Sequence, residues 1–463
     1  MFNKLIKVLD VPEYKIKKHN LKYYYLKQPE LCCKYNLSPI NDSVKPYEFG
    51  KAINILNEYY KDIKSDYYST LLSEAKNLDK NILTIKPNET LDHIILEYVK
   101  FRKDTYIIIL WPNAKNNLEE LKTLLIKHGN IYYIRKLKLH YDAAINLLYQ
   151  LYSDVTRLST ITEIKKKLDY IGWKENEVMS FKIIVFDHNS DIAISGSQAP
   201  LKEQIRNIWL KDNSNLRGDD FIHVNDNFFQ TIEYCKLFLI RNSLIMLHNQ
   251  NLKKHIDDRL LKCRIYINTI KNWIVANMHP IDFDRLLFMS SSTLYTYGIR
   301  NCRDVDGIMS QYPINSFTNN LQKKIIYYFY NRKTKFYFAE INIPNTNSWK
   351  PIWNTKNLEW YKKIGIKHID ELIFDPKYYF CYNGLKFTII KVDIIKRLLR
   401  KRFSDYGDLL EIENQTGIKI KLPKIPSKYS KDEFVKLLEE YMQQKYPNNK
   451  NYMEKIKKLL DEI

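Results

Sequence analysis

The sequence predicts an α/β fold, an α+β mixture with helical ends, and three observations carry that prediction. Between about residues 101 and 270, short apolar runs of strand length alternate with stretches of helical periodicity. Residues 1–100 and 416–463 carry helical periodicity with few such runs. From 271 to 415, strand and helix patterns mix again around one stretch, "MSSSTLYTYGIRNCRDVDGIM" (289–309), which reads unlike the rest of the chain. A length of 463 residues fits two or three compact units. The expected organisation is a helical region over 1–100, an α/β domain of unassigned role over 101–270, a mixed-sheet domain over 271–415 and a helical tail over 416–463.

In chain order, "KAINILNEYYKDIKSDYYSTLLSEAKNL" is the clearest amphipathic stretch of the first region. "DTYIIILWP" reads as a buried strand stopped by Pro112, "NNLEELKTLLIKHG" as a helix closed by Gly129, and "NIYYIRKL" as a second strand. "MSFKIIVFDHN" is another strand and "APLKEQIRNIWL" another helix. In "DDFIHVNDNFFQTIEYCKLFLI", Asn225 and Asp226 are placed to cap a helix, with His223 on the preceding turn. A sharper reading of the same segment has His223, with Lys202 and Arg206, holding a phosphate or substrate anion. In the tail, Ser430 and Glu433 form a capping box for "KDEFVKLLEEYMQQKY", whose apolar stripe is Phe434, Leu437, Leu438 and Tyr441.

Composition narrows the function classes. A hydrophobic content of 45% excludes a disordered chain. The net charge of +21 points to a polyanionic partner, nucleic acid ahead of a membrane surface, and 36 tyrosines are available to stack bases. An AT-rich genome inflates Lys, Asn, Ile and Tyr as well, so the charge has two explanations. Cys32, Cys33, Cys235, Cys263, Cys302 and Cys381 form no CxxC pair, which argues against a zinc site or a disulfide framework. The first residues lack the apolar core of a signal peptide, and "YIIILW" is too short to span a bilayer. The expectation is a soluble cytoplasmic protein with no membrane partner.

The stretch at 289–309 carries the chemistry. As a strand, "RNCRDVDGIM" turns Asp304 and Asp306 to one face, a cradle for Mg²⁺ or Mn²⁺ with substrate phosphates completing the shell. "SSSTLYTYG" reads as a turn into a short helix stopped by Gly298, with Ser291 and Ser292 offered to phosphate. Among 53 acids, an acid–x–acid triplet arises by chance roughly six times, so the aspartates count only in conjunction with the serine turn.

Taken together, Ser291, Ser292, Gly298, Arg300, Asp304 and Asp306 resemble the nucleotidyltransferase superfamily of DNA polymerase β, whose pattern runs Gly-Ser, short helix, acid–x–acid. Within it the chain is similar to poly(A) polymerases of large DNA viruses. The resemblance covers about 120 residues and departs at Ser290, where the pattern has Gly. It implies transfer of NMP from an NTP to an acceptor hydroxyl, and the basic charge and the tyrosines favour the 3′ end of an RNA, or of a DNA, as that acceptor. Asp304 and Asp306 would hold the metal and Ser291, Ser292 and Arg300 the nucleotide. A third carboxylate is implied. Glu340, Asp370, Glu371 and Asp375 are the candidates, with Glu371 preferred because "IDELIFDPKYYFCYNGLKFTII" looks like a hairpin that follows the aspartates in some members. Lys386, on that hairpin, is the further phosphate contact. Asp405 and Asp408 resemble an Arg…Asp-x-x-Asp ending; read structurally, they cap a helix and pair with arginines. The basic face of "KVDIIKRLLRKRFSDYGDLLEI" is either solvated or an electrostatic guide for triphosphate. Transfer to a sugar phosphate, a catalytically degenerate binding module and a homodimer all stay open.

Overall fold

The computed structural model describes residues 44–61, 63–78, 86–153, 160–196, 198–211, 215–252, 280–301, 307–309, 341–342, 361–449 and 452–461, together with Ile267 and Lys271. The expected amphipathic stretch is two helices, α1 (Phe49–Tyr59) and α2 (Tyr67–Ala75), followed by α3 (Glu89–Tyr98). In α1, Phe49, Ala52, Ile53 and Leu56 recur at helical spacing and are buried. In α3, Asn88 caps the first turn by accepting from the Leu91 N–H at 2.7 Å, and Glu89 and Asp92 complement the positive end.

A four-stranded sheet follows in the order β2-β3-β1-β4, every pair antiparallel: β1 (Thr105–Leu110), β2 (Gly129–His140), β3 (Val178–His188) and β4 (Ile222–Val224). β1 is apolar on both faces because both are covered. Ile107 and Ile109 enter one core with α1–α3, while Ile108 and Leu110 enter another. That second core is closed by α4 (Leu118–Ile126) and α7 (Pro200–Leu210). The first is closed further by α5 (Tyr141–Leu151), α6 (Ile161–Tyr170), α8 (Phe228–Leu239) and α9 (Arg241–Asn249). Two local expectations change. Gly129 does not end α4 but opens β2, where an added Cβ would lie 2.0 Å from the Asp187 carbonyl oxygen. The cap of α8 is Asn227, which accepts from the N–H groups of Phe229 and Gln230, and His223 lies on β4 rather than on a turn.

The second sheet is mixed, in the order β7-β6-β5-β9-β8, with β5 (Leu286–Phe288), β6 (Gly307–Met309), β7 (Ile341–Asn342), β8 (Tyr379–Tyr382) and β9 (Leu385–Thr388). β5 pairs antiparallel with β6 and parallel with β9, and β6 pairs parallel with β7. Short helices α10 (Pro280–Phe283) and α11 (Ser291–Thr296) flank β5, and α12 (Ile369–Phe374) precedes β8. Of the segment 369–390 read as a hairpin, only 379–388 forms one. Asp370 and Glu371 lie on α12, whose first turn is capped by the His368 side chain.

The tail is not a separate body. α13 (Ile390–Arg400), α14 (Phe403–Thr416), α15 (Lys431–Lys445) and α16 (Tyr452–Asp461) share a core with the second sheet, in which Phe434, Leu438 and Met442 of α15 pack beside Phe288 and Phe387. The α15 cap is Ser430, accepting from the Glu433 N–H at 3.1 Å, as its sequence predicts. Its buried stripe runs through Met442 instead of Leu437 and Tyr441. The boundary at residue 100 likewise marks no change of core, because one cluster reaches from Val44 to Val392. The architecture is mixed α/β, with helical stretches at both ends and two sheets. Among the described residues no helix is long and apolar enough to cross a membrane. Cys235 and Cys381 are free and buried, and burial pushes the Cys381 thiol up to about 12; the other four cysteines lie outside the described residues.

Candidate functional site

The serine turn leaves the end of β5 and starts α11. Its pivot is Ser290, with φ 59° and ψ −120°, a conformation that glycine adopts freely and an L side chain rarely does. The Ser290 hydroxyl accepts from Lys396 Nζ of α13 at 2.7 Å. Gly298 closes α11 as expected. Its φ is +68°, the Ile299 N–H returns to the Leu294 carbonyl, and a Cβ would lie 2.3 Å from the Asn251 carbonyl oxygen. Ser290→Gly relieves the strained pivot and loses one hydrogen bond, so the expected result is a gain of about 1 kcal/mol, read as a higher urea midpoint.

Beside this turn opens a cavity of about 750 Å³. Ser290 and Ser291 form one edge, Arg300, Arg397, Arg400 and Arg402 the walls, and Tyr441 and Lys445 of α15 the far side. Its centre of charge is the buried carboxylate of Asp408. It accepts from Arg300 Nη1 at 2.9 Å, Arg397 Nε at 3.1 Å, the Tyr441 hydroxyl at 2.7 Å and the Tyr446 hydroxyl at 2.5 Å. Burial opposes its ionisation, but the two guanidiniums and two phenols hold it well below the usual carboxylate range. Asp405 caps α14 through the Arg402 N–H at 2.9 Å and pairs with Arg400 and Arg402. Both aspartates thus take the structural roles read for them. A polar chain ties the turn to this cluster. Thr293 meets Thr388 at 2.9 Å, Thr388 donates to Asp393 at 2.8 Å, and Asp393 accepts from Arg397 at 2.9 Å. Arg300 keeps a buried Nε with no hydrogen-bond partner. Four arginines and Lys445 line the cavity with Asp408 and Glu440, and Asp393 and Asp405 pair with Arg397, Arg400 and Arg402 as well, so the guanidinium forks suit a polyanion whose oxygens take bidentate contacts.

Of the residues expected at the site, Ser291 and Arg300 come together in this cavity. Ser292 is fully buried under the turn. Glu371 sits in the first turn of α12, where its carboxylate accepts from the Lys367 N–H at 3.3 Å. Asp370 accepts from the Lys64 N–H at 3.0 Å, a tie to the N-terminal helices, and Asp375 from the Lys377 N–H at 3.0 Å within its own turn. Asp304, Asp306 and Glu340 lie outside the described residues. Among the described residues no group of three or more His, Cys, Asp or Glu forms a metal site. Sequence reasoning marked Arg397, Arg400 and Arg402 only as part of a basic face and took Tyr441 for packing. The amphipathic run shows that α13 is basic, but not which side meets the serine turn.

Lys386 lies on β9 and turns away from the cavity. Its Nζ donates to the carbonyls of Asp284 and, at 2.7 Å, Ile373. It joins a buried cluster in which Lys100 pairs with Glu97 and Asp284, and Lys236 with Asp284 at 2.7 Å. Three ammonium groups here face two carboxylates. Burial takes Lys386 down to about 7, while Asp284 pulls it back up less strongly. Between pH 7 and the unfolded lysine value of 10.5, the unfolded chain binds a proton that the folded chain does not, so this group makes stability rise with pH. The urea midpoint of the parent should climb from pH 7 to 8.5 more steeply than that of Lys386→Met. Equal slopes would contradict the assignment.

No family model, no curated protein and no solved structure matches this chain.

Proposed function

We propose that the protein is a metal-dependent nucleotidyltransferase that moves NMP from an NTP onto an acceptor hydroxyl, the acceptor being the 3′ end of an RNA. The observation that carries this reading is a register. Gly307, next in sequence after Asp306, pairs with Phe288, two residues before Ser290. The end of β5 that launches the serine turn is therefore the end of β6 that the aspartates precede, with the arginine-lined cavity beside it. The register also favours a different third carboxylate. Ile341, next after Glu340, pairs in parallel with Gly307, whereas Glu371 is on a helix. Glu340 replaces Glu371 in that role.

In this reading Ser290, Ser291 and the guanidiniums of Arg300, Arg400 and Arg402 grip the β and γ phosphates and neutralise the departing pyrophosphate. Asp304 and Asp306, two hard carboxylate donors, would hold Mg²⁺ or Mn²⁺, which supplies charge neutralisation at the transferring phosphoryl group. The acceptor oxygen bonds to the α-phosphorus as the bond to the β-phosphate oxygen breaks, and Glu340 takes the hydroxyl proton. The net charge of +21 favours a nucleic-acid acceptor, whose binding should weaken steeply with salt.

The test incubates the full chain with each labelled NTP, Mg²⁺ or Mn²⁺, and RNA, DNA or sugar-phosphate acceptors. Extension of RNA 3′ ends with release of pyrophosphate is expected. Incorporation only into a sugar phosphate would overturn the acceptor, and no incorporation anywhere would overturn the reaction.

A further inference from the structure

A second basic cavity lies at the β4 edge of the four-stranded sheet and shares no lining residue with the arginine cavity. Its volume is about 570 Å³, the size of a pocket for one small ligand. α6 brings Lys166 and Lys167, α7 brings Lys202 and Arg206, and the segment before β4 brings Arg217. Lys167 and Lys202 are buried, which is rare for lysine unless its charge is used or paired. Each is paired. Lys167 Nζ reaches Asp219 at 3.0 Å and Asp220 at 3.1 Å, and Lys202 Nζ reaches Asp226 at 3.1 Å. The wall carries five cations and the three carboxylates of Glu163, Asp219 and Asp226, while Asp220 and Glu203, off the wall, pair with Lys167 and Arg206, and Lys166 and Arg217 are the exposed cations.

His223 reports the resulting field. Its ring is held between the Tyr152 hydroxyl at 3.2 Å and the Tyr234 hydroxyl at 3.0 Å. Burial, then the positive charge of Lys202, drive its proton off against the opposing carboxylate of Asp226, with Lys167 and Arg206 adding smaller pushes, and the imidazole is left neutral. Flat surfaces line the same space: Tyr152 and Tyr170 are on the wall, and the Arg217 guanidinium lies 5.7 Å from the Tyr170 ring centre. Guanidinium and ammonium donors beside aromatic faces are the chemistry that takes a phosphate together with a base.

We propose that this cavity is a second nucleotide site, in which the lysines and arginines hold one phosphate group and the tyrosines cover the attached base. This site is independent of the nucleotidyl-transfer reading, since neither cavity needs the other.

The test maps hydrogen exchange on the full chain with three probes: inorganic phosphate, AMP and an oligoadenylate. Slowed exchange is expected across 161–170, 200–210 and 215–226. Protection by AMP identifies a phosphomonoester source, and protection by the oligoadenylate alone a phosphodiester source; both support the site. Lys166→Ala combined with Arg217→Ala, two exposed side chains, should weaken the protecting probe by about tenfold. Protection confined to 390–445, protection by none of the three probes, or unchanged affinity in the double variant would overturn the proposal.

Discussion

The Asp304→Asn, Asp306→Asn double variant is expected to lose nucleotide incorporation by about 10³-fold or more, while NTP still binds to within a few-fold. The separation follows from the division of labour in the site. In the proposed reaction the arginine cavity, lined by Arg300, Arg397, Arg400 and Arg402, would supply binding and be untouched by the substitutions. The carboxylates supply what is needed only as charge develops on the transferring group, so their loss falls on turnover. Single-turnover incorporation and equilibrium NTP binding, measured on the same preparation, check both halves. A double variant with undiminished incorporation would remove the chemical role of the pair. One that loses NTP binding as severely as turnover would show that the cavity is not a binding site in its own right.

Asp284→Ala is expected to destabilise the folded chain by about 3–5 kcal/mol, among the largest effects of any single substitution here. Asp284 is fully enclosed and pairs with Lys100 and Lys236, while its backbone carbonyl takes Lys386. Burial alone would raise its carboxyl, but the three ammonium groups hold it well below the ordinary range. Removing it leaves Lys100 and Lys236 with Glu97 alone, in surroundings that cannot solvate the surplus charge. Lys100 and Lys236 come from the helices beside the four-stranded sheet, and Asp284 and Lys386 from the chain of the second sheet, so the loss falls where the two sheets' surroundings meet. Urea unfolding followed separately by tryptophan fluorescence and far-ultraviolet dichroism reads it out. A midpoint shift equivalent to less than about 1 kcal/mol would mean that the cluster is not ionised as described.

Legibility in the sequence follows the range of the interactions that decide each element. β1, β3 and α7 were readable because apolar runs, a proline at the first helical position and period-3.6 spacing act within a few residues. The cap at Ser430 was readable for the same reason. "IDELIF" was not. Its composition suits a strand, and the one-turn helix is decided by the His368 cap and by the Lys64 N–H, more than 300 residues away in sequence. Lys386 shows a different limit. Alternation places it correctly on β9, but which face of β9 holds the cavity depends on how β5 and β9 sit against the two cores. Buried clusters that include residues on both sides of 100 and 416 are set by contacts distant in sequence, which a change of composition does not carry.

Two of the four groups that satisfy Asp408 come from Tyr441 and Tyr446, while Arg300 precedes Tyr441 by 141 residues. At about 5–20 residues per second, roughly 7 to 28 seconds of synthesis separate the emergence of that arginine from that of its phenolic neighbour. Late in that interval Arg300, Arg397 and Asp408 are present without the two phenols that complete their hydrogen bonding. The cavity should therefore reach its finished shape only when α15 docks, because Tyr441 and Lys445 are part of its lining.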